Sequence, residues 1–274
     1  MVLITNVRKV IVLFSVSVAL TVCVLAGRFC GACRQAVCPE TSRIRYSLLR
    51  ADSTIVADSV VEALIRPYRD SVRALLGEPL CVCDEELVAL RPESNMTRFL
   101  ADLFLYEVRA LAEKSGGAPP DFALLNVGGI RSAFHKGQIC ISDVFQVAPF
   151  ENSAVVLSLD SSQVRDVVAH IAERGGEALA GVSFSIGADG DARGVLINGK
   201  PLDGALSYRL ATLDYIATGG DDFECLVGRP VVLESGVTLR DLIITHLKRL
   251  GKEGRHAKAS NEVRIFVAGK ANEQ

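Results

Sequence analysis

A chain of 274 residues is long enough to bury a sizeable core, as one large domain or two small ones. Hydrophobic residues make up 49% and charged residues 23%, which is ordinary for a globular protein. A formal net charge of −2 and the lack of Lys/Arg-rich blocks exclude a polyanion binder built on a global basic field, leaving room only for a local anion site.

In chain order, Arg8 and Lys9 precede an uncharged run from Val10 to Ala26, broken only by Ser15, Ser17 and Thr21. A basic start, an apolar stretch and small residues at its end predict an export leader over residues 1–33. Three fates stay open. Val24-Leu25-Ala26 suits a signal peptidase; Gly31-Ala32-Cys33 resembles the end of a lipobox, which would anchor the chain by lipid; an uncleaved helix over 10–26 sits at the short limit for spanning. The expected location is the periplasm or a membrane-anchored lipoprotein. A tether over 34–50, a domain over 51–269 and a tail over 270–274 follow.

Four of the eight cysteines, Cys23, Cys30, Cys33 and Cys38, lie in or near the leader; Cys81, Cys83, Cys140 and Cys225 lie in the domain. Cys30 and Cys33 lack a second pair at zinc-finger spacing. Cys81 and Cys83 either pair with distant thiols in an oxidising compartment or stay as buried thiols.

Residues 58–76 carry apolar side chains at helical spacing (Val61, Leu64, Ile65, Tyr68, Val72, Leu75, Leu76), with Pro67 expected to kink or split the helix. Ser94 and Asn95 cap a helix over 96–114 that turns Phe99, Leu100, Leu103, Phe104, Val108 and Leu111 inward. Residues 122–125 form a buried strand ending at Asn126; further strands are expected at 138–141, 154–159, 182–186, 192–197, 208–213 and 263–267. Ser161 and Ser162 open one helix; Thr238 caps another, with Gly251 as its stop. Strands alternating with helices, without a repeat, predict an α/β domain: a layered α+β arrangement of mixed sheets with packed helices.

Two stretches join glycine pairs to charges: NVGGIR, residues 126–131, and YIATGGDDF, residues 215–223. Asn126 ends a buried strand, where ligand-facing residues of α/β sheets lie. Gly128 and Gly129 let a ligand approach backbone, and Arg131 offers a fork of donors for phosphate or carboxylate. Tyr215 presents a flat face, Gly219 and Gly220 a tight approach, and Asp221 an acceptor for ribose hydroxyls. Taken singly, each has a plainer reading: a turn, a solvated arginine, a core tyrosine.

NVGGIR, then VAPFENSAVVLSL at 147–159, then YIATGGDDF resemble, in order, three motifs of the C-terminal domain of the 5′-nucleotidases, a family that includes bacterial UDP-sugar hydrolase and animal ecto-5′-nucleotidase. The resemblance implies a substrate-recognition domain. It implies that Asn126 binds the nucleoside and Arg131 a phosphate-side group, that Phe150 and Tyr215 clamp the base, and that Asp221 accepts from ribose. Tyr215 stands where the family has phenylalanine, so base preference is expected to differ. Thr97 replaces a usual glycine, and Leu90 stands where the family has an arginine, with Arg91 one place off.

Family enzymes also carry a metallophosphatase domain with two metals. His135, His170, His246 and His256 are the only histidines here, and none stands in such a ligand motif. His246 reads as structural, His256 as solvated, and His135 as a surface residue near the first motif. The resemblance therefore implies no catalytic or metal-ligating residue and no cofactor in this chain, with divalent metals confined to a partner metallophosphatase. It implies the substrate-binding half of a split 5′-nucleotidase. A non-enzymatic nucleoside-binding surface lipoprotein is the alternative from another class, and a relic fold with a decayed site is the third.

Overall fold

The structure, a computed structural model, describes residues 55–268, together with residue 15 and residues 17–22. The chain divides into two units, residues 1–58 and residues 59–274. In the first, residues 17–22 are helical and exposed. The two processing sequences at 24–26 and 31–33, the tether and the tail at 270–274 lie outside the described residues. Among the described residues no helix is long and apolar enough to cross a membrane.

The second unit opens with helix α1, Ser59–Leu76. The expected split at Pro67 does not occur, since the helix runs on through it, and none of its residues is buried: Leu64, Tyr68 and Leu75 are 69%, 73% and 69% exposed. Apolar spacing reports that one face of a helix differs from the other, not that a surface meets it.

After β1 (Pro79–Cys83) comes α2 (Asn95–Lys114), the central helix. Ser94 caps it, and Thr97 explains its own presence. Its Oγ1 accepts from the Ser94 backbone N–H at 2.7 Å while Ser94 Oγ accepts from the Thr97 N–H, so two otherwise orphaned donors are satisfied reciprocally. Phe99, Leu100, Leu103, Phe104 and Val108 are buried as expected, and Leu111 is partly so.

The strands β2 (Phe122–Leu125), β4 (Ser153–Asp160), β5 (Ala178–Ala180), β9 (Ser207–Leu213) and β10 (Val231–Thr238) form a five-stranded mixed sheet in the order β10-β4-β9-β2-β5. Only the β2–β9 pair is parallel. A second sheet, β11-β6-β7-β8, comprises β6 (Val182–Ile186), β7 (Ala192–Ile197), β8 (Lys200–Pro201) and β11 (Ile265–Val267); β1 pairs separately with β3 (Gly137–Cys140). β2 is buried at all four positions, which is why it reads as an uninterrupted apolar run. β10 is an edge strand with no buried residue, although Val231, Val232, Leu233 and Val237 are apolar.

Short α3 (Ile141–Val147), then α4 (Ser161–Glu173), α5 (Asp214–Ala217) and α6 (Leu239–Lys252) complete the unit. α4 opens at Ser161 as expected and is capped by Asp160, whose Oδ1 accepts from the N–H groups of Ser162 and Gln163 at 2.8 and 2.9 Å. A carboxylate at that end also meets the positive pole of the helix. Thr238 caps α6 as expected, but Gly251 is not its stop. The helix passes through it because a Cβ there would lie 2.0 Å from the carbonyl oxygen of Leu80, so glycine permits α6 to press on β1. Gly254, at φ +66°, ends the helix, with the Arg255 N–H bonding to Leu250 O.

His246 is structural. Its Nδ1 lies 2.8 Å from Glu107 Oε1 and its ring meets Phe99 and Tyr106 edge-on, joining α6 to α2. Burial pushes the Glu107 carboxyl up, but hydrogen bonds from His246 and Arg249 outweigh it and hold the pKa below the ordinary 4.5. A lowered carboxylate pKa contributes stability that is present above the unfolded value and lost as pH falls through the folded one. Glu107→Gln is thus expected to melt below wild type at neutral pH, with the gap closing as pH drops below 4.5. Thermal unfolding across pH checks it; a gap independent of pH would contradict the assignment.

Cys81, Cys83, Cys140 and Cys225 are free. Burial raises all four thiols, Cys81 to about 11, so they remain protonated and weakly nucleophilic at neutral pH.

Candidate functional site

Asn126 follows the last residue of β2 and leads into a 3-10 turn, Val127–Gly129. Its side chain is 6% exposed and pinned at one end, Nδ2 donating to Asp221 Oδ2 at 2.7 Å. The other end, Oδ1, is buried without a hydrogen-bond partner. An acceptor left in that state costs free energy, and such exceptions mark places where a further group belongs.

The glycine pairs now have reasons. A Cβ on Gly129 would lie 2.9 Å from Asn126 Oδ1, so only glycine leaves that side chain its place. On Gly128 a Cβ would make ordinary contact, 3.5 Å from Asp221 Oδ2. Gly219 turns the chain at φ +96°, and a Cβ on Gly220 would strike the Tyr215 ring at 2.5 Å. The ring of Tyr215 therefore rests on the backbone of Gly220.

Asp221 itself adopts φ +55°, a left-handed conformation that costs most side chains energy and is least unfavourable for Asp and Asn. Its Oδ1 accepts from the Tyr215 hydroxyl at 3.3 Å, its Oδ2 from Asn126, and Arg174 Nη2 stands 3.5 Å away. The hydroxyl that distinguishes Tyr215 from phenylalanine is thus directed at this carboxylate rather than at a base. A carboxylate offers about four acceptor positions, so capacity remains for ligand hydroxyls.

Phe150, 49% exposed, lines an apolar cleft with Leu125, Asn126, Gly129, Asn152 and Leu213. Tyr215 is not in that lining; it is 42% exposed and reaches the cleft through Asp221 and Asn126. Arg131, next in the chain to the cleft-lining Ile130, is exposed; its Nη1 donates to Gly128 O at 3.2 Å and its backbone N–H bonds to Val147 O. Among the described residues no carboxylate lies within ion-pair distance of it, so its charge is uncompensated. His135 is not part of this group: it pairs with Glu86 at 2.8 Å on the surface. His256 pairs with Asp84 at 2.7 Å and is half exposed.

Two residues that position the site, Glu177 and Arg174, escaped the sequence reading. Glu177 has no exposed side-chain surface, and it accepts from the Val127 N–H at 2.6 Å, from Arg174 Nε at 2.8 Å and from Arg91. It fixes the turn that carries Gly128 and Gly129. Arg91, whose register left a ligand contact in doubt, is thus committed to Glu177 and to Gly176 O. Arg174 joins Glu177 to Asp221 and Asp222, and His170 Nε2 lies 3.3 Å from Asp221 O with its ring against Phe223. A signal existed: residues 174–177 read Arg-Gly-Gly-Glu, another glycine pair between charges.

The arrangement presents a half-exposed ring at Phe150, spare acceptor capacity at Asp221 and a guanidinium at Arg131, with the unpartnered Asn126 Oδ1 buried beside the Phe150 cleft. Among the described residues no group of three or more His, Cys, Asp and Glu side chains is placed to hold a metal ion.

A family model for the C-terminal domain of 5′-nucleotidases matches residues 85–228. Protein UshA of Escherichia coli is 31% identical over 197 residues, covering 68% of this chain and 34% of that protein. A 5′-nucleotidase of Vibrio cholerae is 25% identical over 208 residues, covering 72% of this chain and 36% of its own length. The chain thus spans about a third of these curated relatives. Among solved structures, a 5′-nucleotidase precursor from Thermus thermophilus superposes with a TM-score of 0.64 at 24% identity, covering 77% of this chain and 44% of that one. That likeness shows the fold.

Proposed function

The chain belongs to the 5′-nucleotidase C-terminal domain family, and on that premise we propose that it is an exported nucleotide- or nucleoside-recognition domain, the substrate-binding half of a split 5′-nucleotidase. One observation carries the reading: the buried, unpartnered Oδ1 of Asn126, set between the Phe150 cleft and the Asp221 carboxylate. A nucleoside meets all three, with its base against Phe150, a donor at Asn126 and its diol at Asp221. Arg131, without a counter-charge among the described residues, takes the phosphate. Hydrolysis of the ester falls to metals held outside these residues, in our reading by a separately encoded metallophosphatase; no cofactor is bound by this chain. The leader over 1–33 would carry the domain across the membrane and, in its lipoprotein form, anchor it there.

Calorimetric titration of the purified protein tests this. AMP should bind more tightly than adenosine, without divalent metal and without hydrolysis. In Arg131→Ala the advantage of AMP should fall about tenfold while adenosine is unaffected, the loss expected for one charge-assisted contact. Equal losses for both ligands would remove Arg131 from the phosphate side. Metal-dependent AMP hydrolysis by the chain alone would overturn the split arrangement.

A further inference from the structure

We propose that Arg240 is the positioning residue for Phe150, holding the ring in its binding pose before any ligand arrives; this rests on the nucleoside reading of the cleft. Phe150 lies in residues 148–152, a segment without regular structure between α3 and β4. A half-exposed ring on such a segment would ordinarily sample many orientations, and fixing it on binding would cost affinity. Arg240, on the first turn of α6, restrains the backbone that carries the ring. Its Nε donates to Ala148 O at 3.1 Å, and its Nη2 donates to Pro149 O at 2.7 Å and Phe150 O at 3.3 Å. One guanidinium gathers three successive carbonyls, and the backbone is curled around a planar, rigid fork.

The arginine is itself fixed. Its Cζ stacks 4.3 Å over the Phe145 ring, and its side chain is 11% exposed. Glu151 Oε1, at 3.8 Å, is the facing carboxylate, but it is 84% exposed and contributes little. The far end of the segment is tied to the same helix, with the Leu239 N–H donating to Asn152 O at 3.0 Å. Sequestered among carbonyls and a ring, Arg240 acts on ligand only through Phe150. A lysine could reach one of the three carbonyls but not reproduce the fork.

Two measurements test this. In the ligand-free protein, chymotryptic cleavage after Phe150 should be slow, and about tenfold faster in Arg240→Ala, since proteolysis follows local opening. Arg240→Lys should fall between them, which keeps the test usable if the alanine variant folds poorly. Unchanged cleavage in both variants would overturn the proposal whatever the ligand proves to be. Second, Arg240→Ala should weaken adenosine about tenfold and leave ribose 5-phosphate, which has no base to stack, unchanged. In a Phe150→Ala background the same substitution should have no further effect on adenosine. Equal weakening of both ligands, or a full effect without the Phe150 ring, would show that Arg240 does not act through it. Failure of wild type to bind adenosine would instead strike the nucleoside reading, leaving the cleavage result to decide the role of Arg240.

Discussion

Glu177→Ala is expected to destabilise the fold by about 3–5 kcal/mol, the usual consequence of removing one partner from a buried charge network. The side chain has no exposed surface, and its loss removes a partner from Arg174, Arg91 and the Val127 N–H together. For a domain of this size the thermal midpoint should drop by on the order of 10 °C. Glu177→Gln should recover part of the loss, since an amide oxygen can still accept from Val127 but cannot balance two guanidinium groups. Chemical denaturation of the three proteins measures it. An alanine variant within about 1 kcal/mol of wild type would mean that the carboxylate does not hold the first motif in place.

Phe150→Ala is expected to weaken adenosine and AMP by about 10- to 100-fold, matching a stacking contribution of about 1–3 kcal/mol per base. Ribose 5-phosphate should bind the variant as it binds wild type, because Asp221 and Arg131 are untouched. Competition titration with the three ligands separates these outcomes. The ring is 49% exposed, so its removal should leave the melting temperature nearly unchanged, and a loss of affinity cannot then be ascribed to unfolding.

The site is legible in the sequence to the extent that its chemistry is local. Asn126, Arg131 and Asp221 sit in short motifs whose glycines announce unusual backbone, and two of those glycines, Gly129 and Gly220, prove necessary for steric reasons. Glu177 and Arg240 act on residues 50 and 90–92 positions away, so no local pattern shows which backbone groups they will meet. The same distinction governs the fold. Buried β2 and the inner face of α2 read directly from their apolar residues, because one environment surrounds them. Edge strand β10, with Val231, Val232, Leu233 and Val237, and α1 both carry apolar residues that lead to no burial.

A crystal structure of the protein soaked with AMP tests the central claim most directly. The base should lie on the Phe150 ring with a donor at Asn126 Oδ1, the ribose diol at Asp221 and the phosphate at Arg131. AMP bound elsewhere, with the cleft beside Asn126 still empty at saturating ligand, would contradict it.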